Sequence, residues 1–315
     1  MKIIKMRHPY QSDLIPNDEV VLALGFFDGV HRGHQEVLKK ARMVAEEKNL
    51  KLAAMTFDHH PSVVFNHRRG STIGTKYLTS VERKATLMDD LGVDVLYVVN
   101  FTSLFAKQNP EEFIQNYIIG LHAKSVVAGF DYTFGPQETA NMTTLPVLSN
   151  GRFDVYSINP VQQDLVKVSS TQTRDWIIDG DIDSANEFLG YPFETKGLVV
   201  HGEARGRTLG FPTANIISDI NQITLGIGIY VAEIKIGSQW YHAMASVGRN
   251  VVFGDGRPVT TEINILDFNG EVYGETVKIR WYHRLRGEEK FASVEDLINQ
   301  LNVDEQNTRD FFKKL

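Results

Sequence analysis

Two histidines three residues apart, His31 and His34, have the types and spacing to do chemistry. They lie in Gly25-Phe26-Phe27-Asp28-Gly29-Val30-His31-Arg32-Gly33-His34. The apolar run Val20 to Leu24 precedes this stretch, and Gln35 to Ala45 follows with apolar residues at helical spacing. The order reads as strand, glycine turn and helix. Glycines allow a tight turn and close approach to a ligand, and a helix start offers unpaired N–H groups and a positive dipole end suited to phosphate. A spacing of three puts both imidazoles on one face, so the stretch reads as a phosphate cradle with two imidazoles. The plain alternative is a pair of surface histidines at a helix start. A metal pair fits less well, because no His-x-x-x-His spacing with a third ligand accompanies it.

A second stretch with chemical potential is Gly202-Glu203-Ala204-Arg205-Gly206-Arg207-Thr208-Leu209-Gly210-Phe211-Pro212-Thr213-Ala214-Asn215. It is not a Walker loop: the first gap is three residues instead of four, Arg207 replaces the lysine, and Pro212 prevents an immediate long helix. Taken alone, Pro212 to Asn215 reads as a turn. Glu262 alternates with Ile263 and Ile265, so it faces away from them and shares a face with Asn264, where a glutamate is ordinarily solvated. Asp58-His59-His60 with His67 matches no standard metal-ligand set and reads as a loop over a nucleotide pocket. Val168 to Arg174 opens a helix with capping hydroxyls and places Arg174 one turn in.

The elements that must position these residues follow from pattern. Leu50 to Phe57, Val93 to Val99 and Ser125 to Gly129 read as buried strands. Between them stand a helix capped by Thr79-Ser80-Val81-Glu82 and running to about Leu91, and another from Pro110 to about Leu121. Repeated β-α units predict a parallel sheet covered on both faces, with ligands beyond the carboxyl ends of its strands. Gly25 to His34, Asp58 to Pro61 and Gly129 to Gly135 all fall at such ends. Near residue 190 the pattern changes to short strands at Gly197–Val200, Ile229–Ile236, Trp240–Val247, Thr260–Leu266 and Thr276–Trp281. With hairpin turns expected at Gly237-Ser238 and Asn269-Gly270, this reads as a small antiparallel barrel. A last helix is capped by Ser293 and continues through Leu301.

A length of 315 residues suits two domains, 1–190 and 191–315. The net charge of −6, with no Lys/Arg run longer than two, disfavours nucleic acid and anionic membranes as partners. The absence of cysteine excludes disulfides, thiolate metal sites and cysteine nucleophiles. The first residues lack the apolar core of a signal peptide, and no stretch approaches the roughly 20 apolar residues of a membrane span, so a cytoplasmic location is expected.

Gly25 to His34 resembles the His-x-Gly-His turn of the nucleotidyltransferase superfamily and, more narrowly, that of the bacterial bifunctional riboflavin kinase/FAD synthetase family. Gly129-Phe130-Asp131-Tyr132-Thr133-Phe134-Gly135 resembles the element lining that family's mononucleotide site, and Val168 to Arg174 the segment that closes over its triphosphate. Gly206 to Asn215 closely resembles the riboflavin kinase signature Gly-Arg-x-Leu-Gly-Phe-Pro-Thr-Ala-Asn, and Leu285 to Phe291 with Leu297 and Gln300 also matches. Three segments depart from the family pattern: Asp58 to Pro61, which keeps Phe57, His60 and Pro61; Pro136 to Met142; and Ser246 to Phe253.

The resemblance covers nearly the whole chain. It implies an α/β protein with a Rossmann-like nucleotidyltransferase domain followed by a small antiparallel β-barrel riboflavin kinase domain with a C-terminal helix. It implies phosphorylation of riboflavin to FMN and adenylylation of FMN to FAD, each with ATP as substrate and Mg²⁺ as cofactor, by a monomer or weak oligomer. His31, His34, Arg174 and Glu262 take the catalytic roles. Gly25, Phe26, Phe27, Asp28, Gly33, Ser169, Ser170, Thr171, Gly202, Gly206, Arg207 and Gly210 hold nucleotide. His60, Pro61, Asp131, Phe134 and Arg286 hold flavin, and Thr213 and Asn215 hold the metal through hard oxygens. Two rivals share part of the pattern: an adenylyltransferase with another phosphate acceptor, which has no use for Gly206 to Asn215, and a flavin-binding homologue without turnover.

Overall fold

Val20-Val21-Leu22-Ala23-Leu24 has no polar side chain to show to water, and it becomes a strand buried on both faces. The structure, a computed structural model, describes residues 1–65, 76–163, 166–202, 205–249 and 259–315. His67, Glu203, Ala204 and the Asn250–Phe253 part of the third departing segment lie outside the described residues. Backbone proximity divides the chain into two compact units, Met1–Ser170 and Thr171–Leu315.

The first unit is a parallel sheet of β1 (Lys2–Arg7), β2 (Val20–Leu24), β3 (Lys51–Phe57), β4 (Val95–Asn100), β5 (Ala123–Gly129) and β6 (Asp154–Ile158), in the order β1-β4-β3-β2-β5-β6. Alternate residues feed two cores: Val20, Leu22 and Leu24 pack on one face, Val21 and Ala23 on the other. Its helices are α1 (Arg32–Lys48), α2 (Ser62–Phe65), α3 (Val81–Asp90), α4 (Ser103–Ala106), α5 (Pro110–Phe113) and α6 (Leu145–Ser149). α1 lays Val37, Leu38, Ala41, Val44 and Ala45 on the Val21 face, beside Ala85 and Met88 of α3. The cap of α3 is Ser80, whose hydroxyl accepts from the Arg83 N–H, one residue later than the expected box; Thr79 is engaged elsewhere. The segment from Pro110 starts with a capping box of Asn109 and Glu112, then widens into a π turn at Ile114–Ile118 and tightens at Ile119–Leu121. The short strands β7 (Gln162–Gln163) and β8 (Val166–Lys167) pair antiparallel beyond β6.

In the second unit, α7 (Ser170–Asp179) and α8 (Ile182–Leu189) group with the barrel, so the compact division falls earlier than the change of pattern near 190. The barrel comprises β9 (Phe193–Val200), β10 (Ala214–Ser218), β11 (Gly228–Ile236), β12 (Gln239–Gly248), β13 (Thr260–Ile265) and β14 (Thr276–Arg286), with the one-turn helix α9 (Arg205–Thr208) before β10. All six strands close antiparallel in the order β10-β13-β12-β11-β14-β9. Gly237-Ser238 does turn a hairpin, with Ile236 opposite Gln239. Asn269-Gly270 does not: β13 pairs β12 and β10, whereas β14 pairs β11 and β9, so this connection crosses the barrel end. A hairpin dipeptide specifies a local turn, and barrel closure overrides the pairing that it suggests. The final helix, α10 (Val294–Phe312), runs well past Leu301 because its polar continuation includes Asp304 and Thr308, both buried.

Candidate active sites

The first unit's sheet reverses its winding direction between β2 and β5, the switch point at which open α/β sheets bind ligands. A cavity of about 450 Å³ opens there, within the range of small-molecule sites. It collects Gly25, Phe26, Phe27, His31, Gly33 and His34 after β2, His60 and Pro61 after β3, Asp131 after β5, and Ser169 and Ser170 at the start of α7.

The turn after β2 is held under tension. Phe27 and Val30 have φ of 54° and 37°, a left-handed conformation that strains bulky and β-branched residues by about 1–3 kcal/mol each. Both side chains are 1% exposed, and their burial offsets the strain. Gly25 is required by close approach: a Cβ there would stand 2.9 Å from the Phe27 ring. Phe27 in turn meets the His34 ring edge-on at 5.3 Å. Asp28 points away from the cavity, accepting from the Leu78 and Thr79 N–H groups and the Thr79 hydroxyl. Its carboxylate braces the turn, and its carbonyl receives the Ser170 hydroxyl at 2.9 Å.

His31 caps α1 and is 5% exposed. Its Nδ1 accepts from the His34 N–H at 3.3 Å, which leaves Nε2 to carry the hydrogen in the neutral ring. The two imidazoles stack with centroids 3.7 Å apart and planes 15° from parallel. Burial first, then the His31 and Lys84 charges, hold His34 well below the usual 6.5, and its buried Nδ1 has no hydrogen-bond partner. With His34 held below its usual range and Nε2 of His31 left to carry a hydrogen, the pair offers ring N–H donors suited to charge developing on phosphoryl oxygens.

Across the cavity, His60 is oriented by the Ser62 hydroxyl at 2.7 Å and stands edge-on to Phe26 at 5.0 Å. Phe134, expected at flavin, stacks on Phe113 at 5.4 Å against the core and is not among the residues that line the cavity. Thr171 and Arg174 belong to the second unit, on α7.

On the barrel, Thr213 donates its hydroxyl to Glu262 Oε2 at 3.2 Å, and Asn215 is the cross-strand partner of Glu262. Glu262 is half-buried and Ile263 fully buried, as the alternation expects, but Asn264 on the Glu262 face is buried too and Ile265 is only half-buried. Asn264, on the Glu262 face, donates to the Pro212 carbonyl at 2.8 Å and fixes the segment that carries Thr213. A Cβ at Gly202 would meet the Asn215 amide at 2.0 Å, so a larger residue there would have to displace that side chain. Gly206 accepts from Phe211 N–H, and Gly210 follows at φ 86°. Thr213 also borders a cavity of about 70 Å³ lined by Arg207, Ile265, Phe268 and Tyr273. The Thr213 hydroxyl, the Glu262 carboxylate and the Asn215 amide carbonyl are oxygen donors that fit a hard cation, which would keep most of its coordination to phosphates and water. Among the described residues no three His, Cys, Asp or Glu gather into a metal site of their own.

The flavin-binding role expected of Arg286 meets a competing commitment. Its guanidinium bonds Asp304 through Nε at 3.0 Å and Nη2 at 2.7 Å, and Gln300 completes the carboxylate's shell at 2.9 Å. The pair pins α10 to the barrel.

Two clusters of different composition thus occupy separate units, and comparison with known proteins assigns each unit a family. The FAD synthetase family model matches residues 15–172, and the riboflavin kinase family model matches residues 189–312. A bifunctional riboflavin kinase/FMN adenylyltransferase of Listeria monocytogenes is 46% identical over all of this chain and 99% of its own. The Bacillus subtilis protein of the same description is 39% identical over the same shares. The chain belongs to this bifunctional family. A solved structure from Streptococcus pneumoniae, described as a macrolide-efflux protein, matches with a TM-score of 0.87 and 37% identity over 97% of this chain and 99% of that one. No helix among the described residues is long and apolar enough to cross a membrane.

Several residues around the two clusters were not evident from motif spacing. Thr79 and Tyr77 approach the turn from a distant loop, and Phe268 and Tyr273 line the barrel cavity from the crossing connection. Lys84 had one signal: it falls on the apolar stripe of α3 with Val81, Ala85 and Met88, where a charge is out of place.

Proposed function

We propose that the two clusters carry the family's two successive phosphate transfers. At the barrel, Glu262 accepts the proton from the terminal ribityl hydroxyl of riboflavin as that oxygen attacks the γ-phosphorus of ATP; the bond to the β-phosphate oxygen breaks and ADP leaves. Thr213 and Asn215 would hold Mg²⁺, which supplies charge neutralisation at the phosphates. The Thr213 hydroxyl orients the Glu262 carboxylate, and Gly206 and Gly210 let backbone N–H groups approach phosphate.

At the switch-point cavity, an FMN phosphate oxygen attacks the α-phosphorus of a second ATP, the α–β bridging bond breaks, and pyrophosphate carries away the charge. His31 and His34 donate N–H to the phosphoryl oxygens as charge builds and form no covalent bond. Gly25, Phe26, Phe27, Gly33, Ser169 and Ser170 are assigned to nucleotide, with Thr171 added on the family pattern alone, and His60, Pro61 and Asp131 to flavin. Arg174 is assigned the departing pyrophosphate on the family pattern alone. The observation that carries this reading is the 3.7 Å imidazole stack facing a cavity at the switch point, in a unit separate from the Thr213–Glu262 pair.

The test is flavin chromatography after incubation with Mg²⁺ and ATP. His31→Ala is expected to stop at FMN. Glu262→Ala is expected to leave riboflavin unchanged yet still convert supplied FMN to FAD. Loss of both activities in either folded variant would contradict separate sites.

A further inference from the structure

Behind the cradle lies a cation that the mechanism above does not use. Lys84 is 2% exposed, with its ammonium 2.6 Å from the Phe26 carbonyl oxygen, 3.0 Å from the Thr56 hydroxyl and 4.3 Å from the centre of the Phe26 ring. Thr56 itself donates to the same Phe26 carbonyl at 2.7 Å. The end of β2, the end of β3 and α3 are thereby fastened at one oxygen. Phe26 lines the cavity, and its ring meets His60 and Tyr77.

The partners of Lys84 are a carbonyl, a hydroxyl and a ring face; none is a carboxylate. An ammonium removed from water without an ion-pair partner costs several kcal/mol, and a methionine would fill the same space without that cost. The hydrogen bonds to Phe26 and Thr56 use the ammonium as a donor, but neither neutral partner offsets its charge. It sits where an anion must arrive, behind a turn whose N–H groups, glycines and imidazoles all suit phosphate.

Resting on the adenylyl-transfer reading, we infer that Lys84 is a positioning residue whose buried charge is completed by the ATP phosphates: it clamps the Phe26 carbonyl and attracts the triphosphate through the Gly25–Phe27 turn. Binding of the anion then offsets the burial of the cation. Consistent with an unpaired ammonium, burial lowers Lys84 to about 8, with Asp28 opposing the shift. The titratable groups around it are Asp28, His31 and His34 from the turn and α1, and His60 and Tyr77 against Phe26. The K84R variant separates Lys84 from these neighbours, because only the substituted cation differs between its pH profile and that of the wild type.

The experiment measures KM for ATP and kcat in conversion of supplied FMN to FAD, with riboflavin phosphorylation as internal control. For the wild type, KM for ATP is expected to rise across about pH 8 as the ammonium loses its proton. K84M is expected to raise KM about tenfold at pH 7 with a smaller change in kcat and to remove the pH dependence, while the control is unchanged. K84R keeps the charge and should shift the rise to higher pH, a readout that packing alone would not move and that Tyr77 would not share. Circular dichroism establishes folding; should K84M not fold, the wild-type and K84R profiles decide. A wild-type KM independent of pH over this range, or a folded K84M with wild-type KM, overturns the inference. If His31→Ala still makes FAD, the underlying reading fails instead.

Discussion

Replacing Arg286 with methionine separates two roles that the same residue could play. The guanidinium is 14% exposed and the Asp304 carboxylate 1%, so the substitution leaves a buried negative charge with only Gln300 to answer it. Breaking a buried pair in this way costs about 3–5 kcal/mol. With a urea dependence of about 2 kcal/mol per M, the unfolding midpoint should fall by about 1.5–2.5 M. The measurement can be confined to the right unit, because all three tryptophans, Trp176, Trp240 and Trp281, lie within Thr171–Leu315. Urea denaturation followed by tryptophan fluorescence therefore reports the barrel and α10. Arg286→Met combined with Asp304→Leu should recover most of the loss, since an apolar pair removes the stranded charge. A midpoint unchanged in the single variant, with a raised KM for riboflavin, would refute the structural role and restore the flavin contact expected from the family pattern.

Further outcomes follow from the cradle. His34 is held below 6.5 in the folded chain, so below that pH the unfolded chain binds a proton that the native chain refuses, and stability falls as pH drops. His34→Gln should lose less thermal stability between about pH 7.5 and 5.5 than the wild type, and an equal loss in calorimetry would disprove it. Gly25→Ala should displace the Phe27 ring, cost about 1–3 kcal/mol and depress FAD formation while leaving riboflavin phosphorylation intact, as flavin chromatography would show.

His31 and His34 were legible because their relation is local: a strand, a turn and a helix in immediate succession fix which face two residues three apart must share. The same holds for Glu262 and Asn264 on one strand face, and for the hairpin at Gly237-Ser238. For Phe134 and Asp28, which resemble ligand contacts by motif, the structure adds what the motif does not give: the core around the Phe134 ring and the distant Thr79 loop at the Asp28 carboxylate. Motif position gives the backbone's course but not the rotamer that packing selects.

By itself, then, the amino-acid order determined the β-α alternation, the change to short strands near 190 and the two stretches that could meet phosphate, since each depends on backbone periodicity and turn chemistry within about a dozen residues. Only the tertiary structure decided that Lys84 stands behind Phe26, that Arg286 is held by Asp304, and that Asn269-Gly270 crosses the barrel end instead of turning a hairpin. Those outcomes depend on which charges lose water and which strands must close the barrel, and such conditions exist only once distant segments have met.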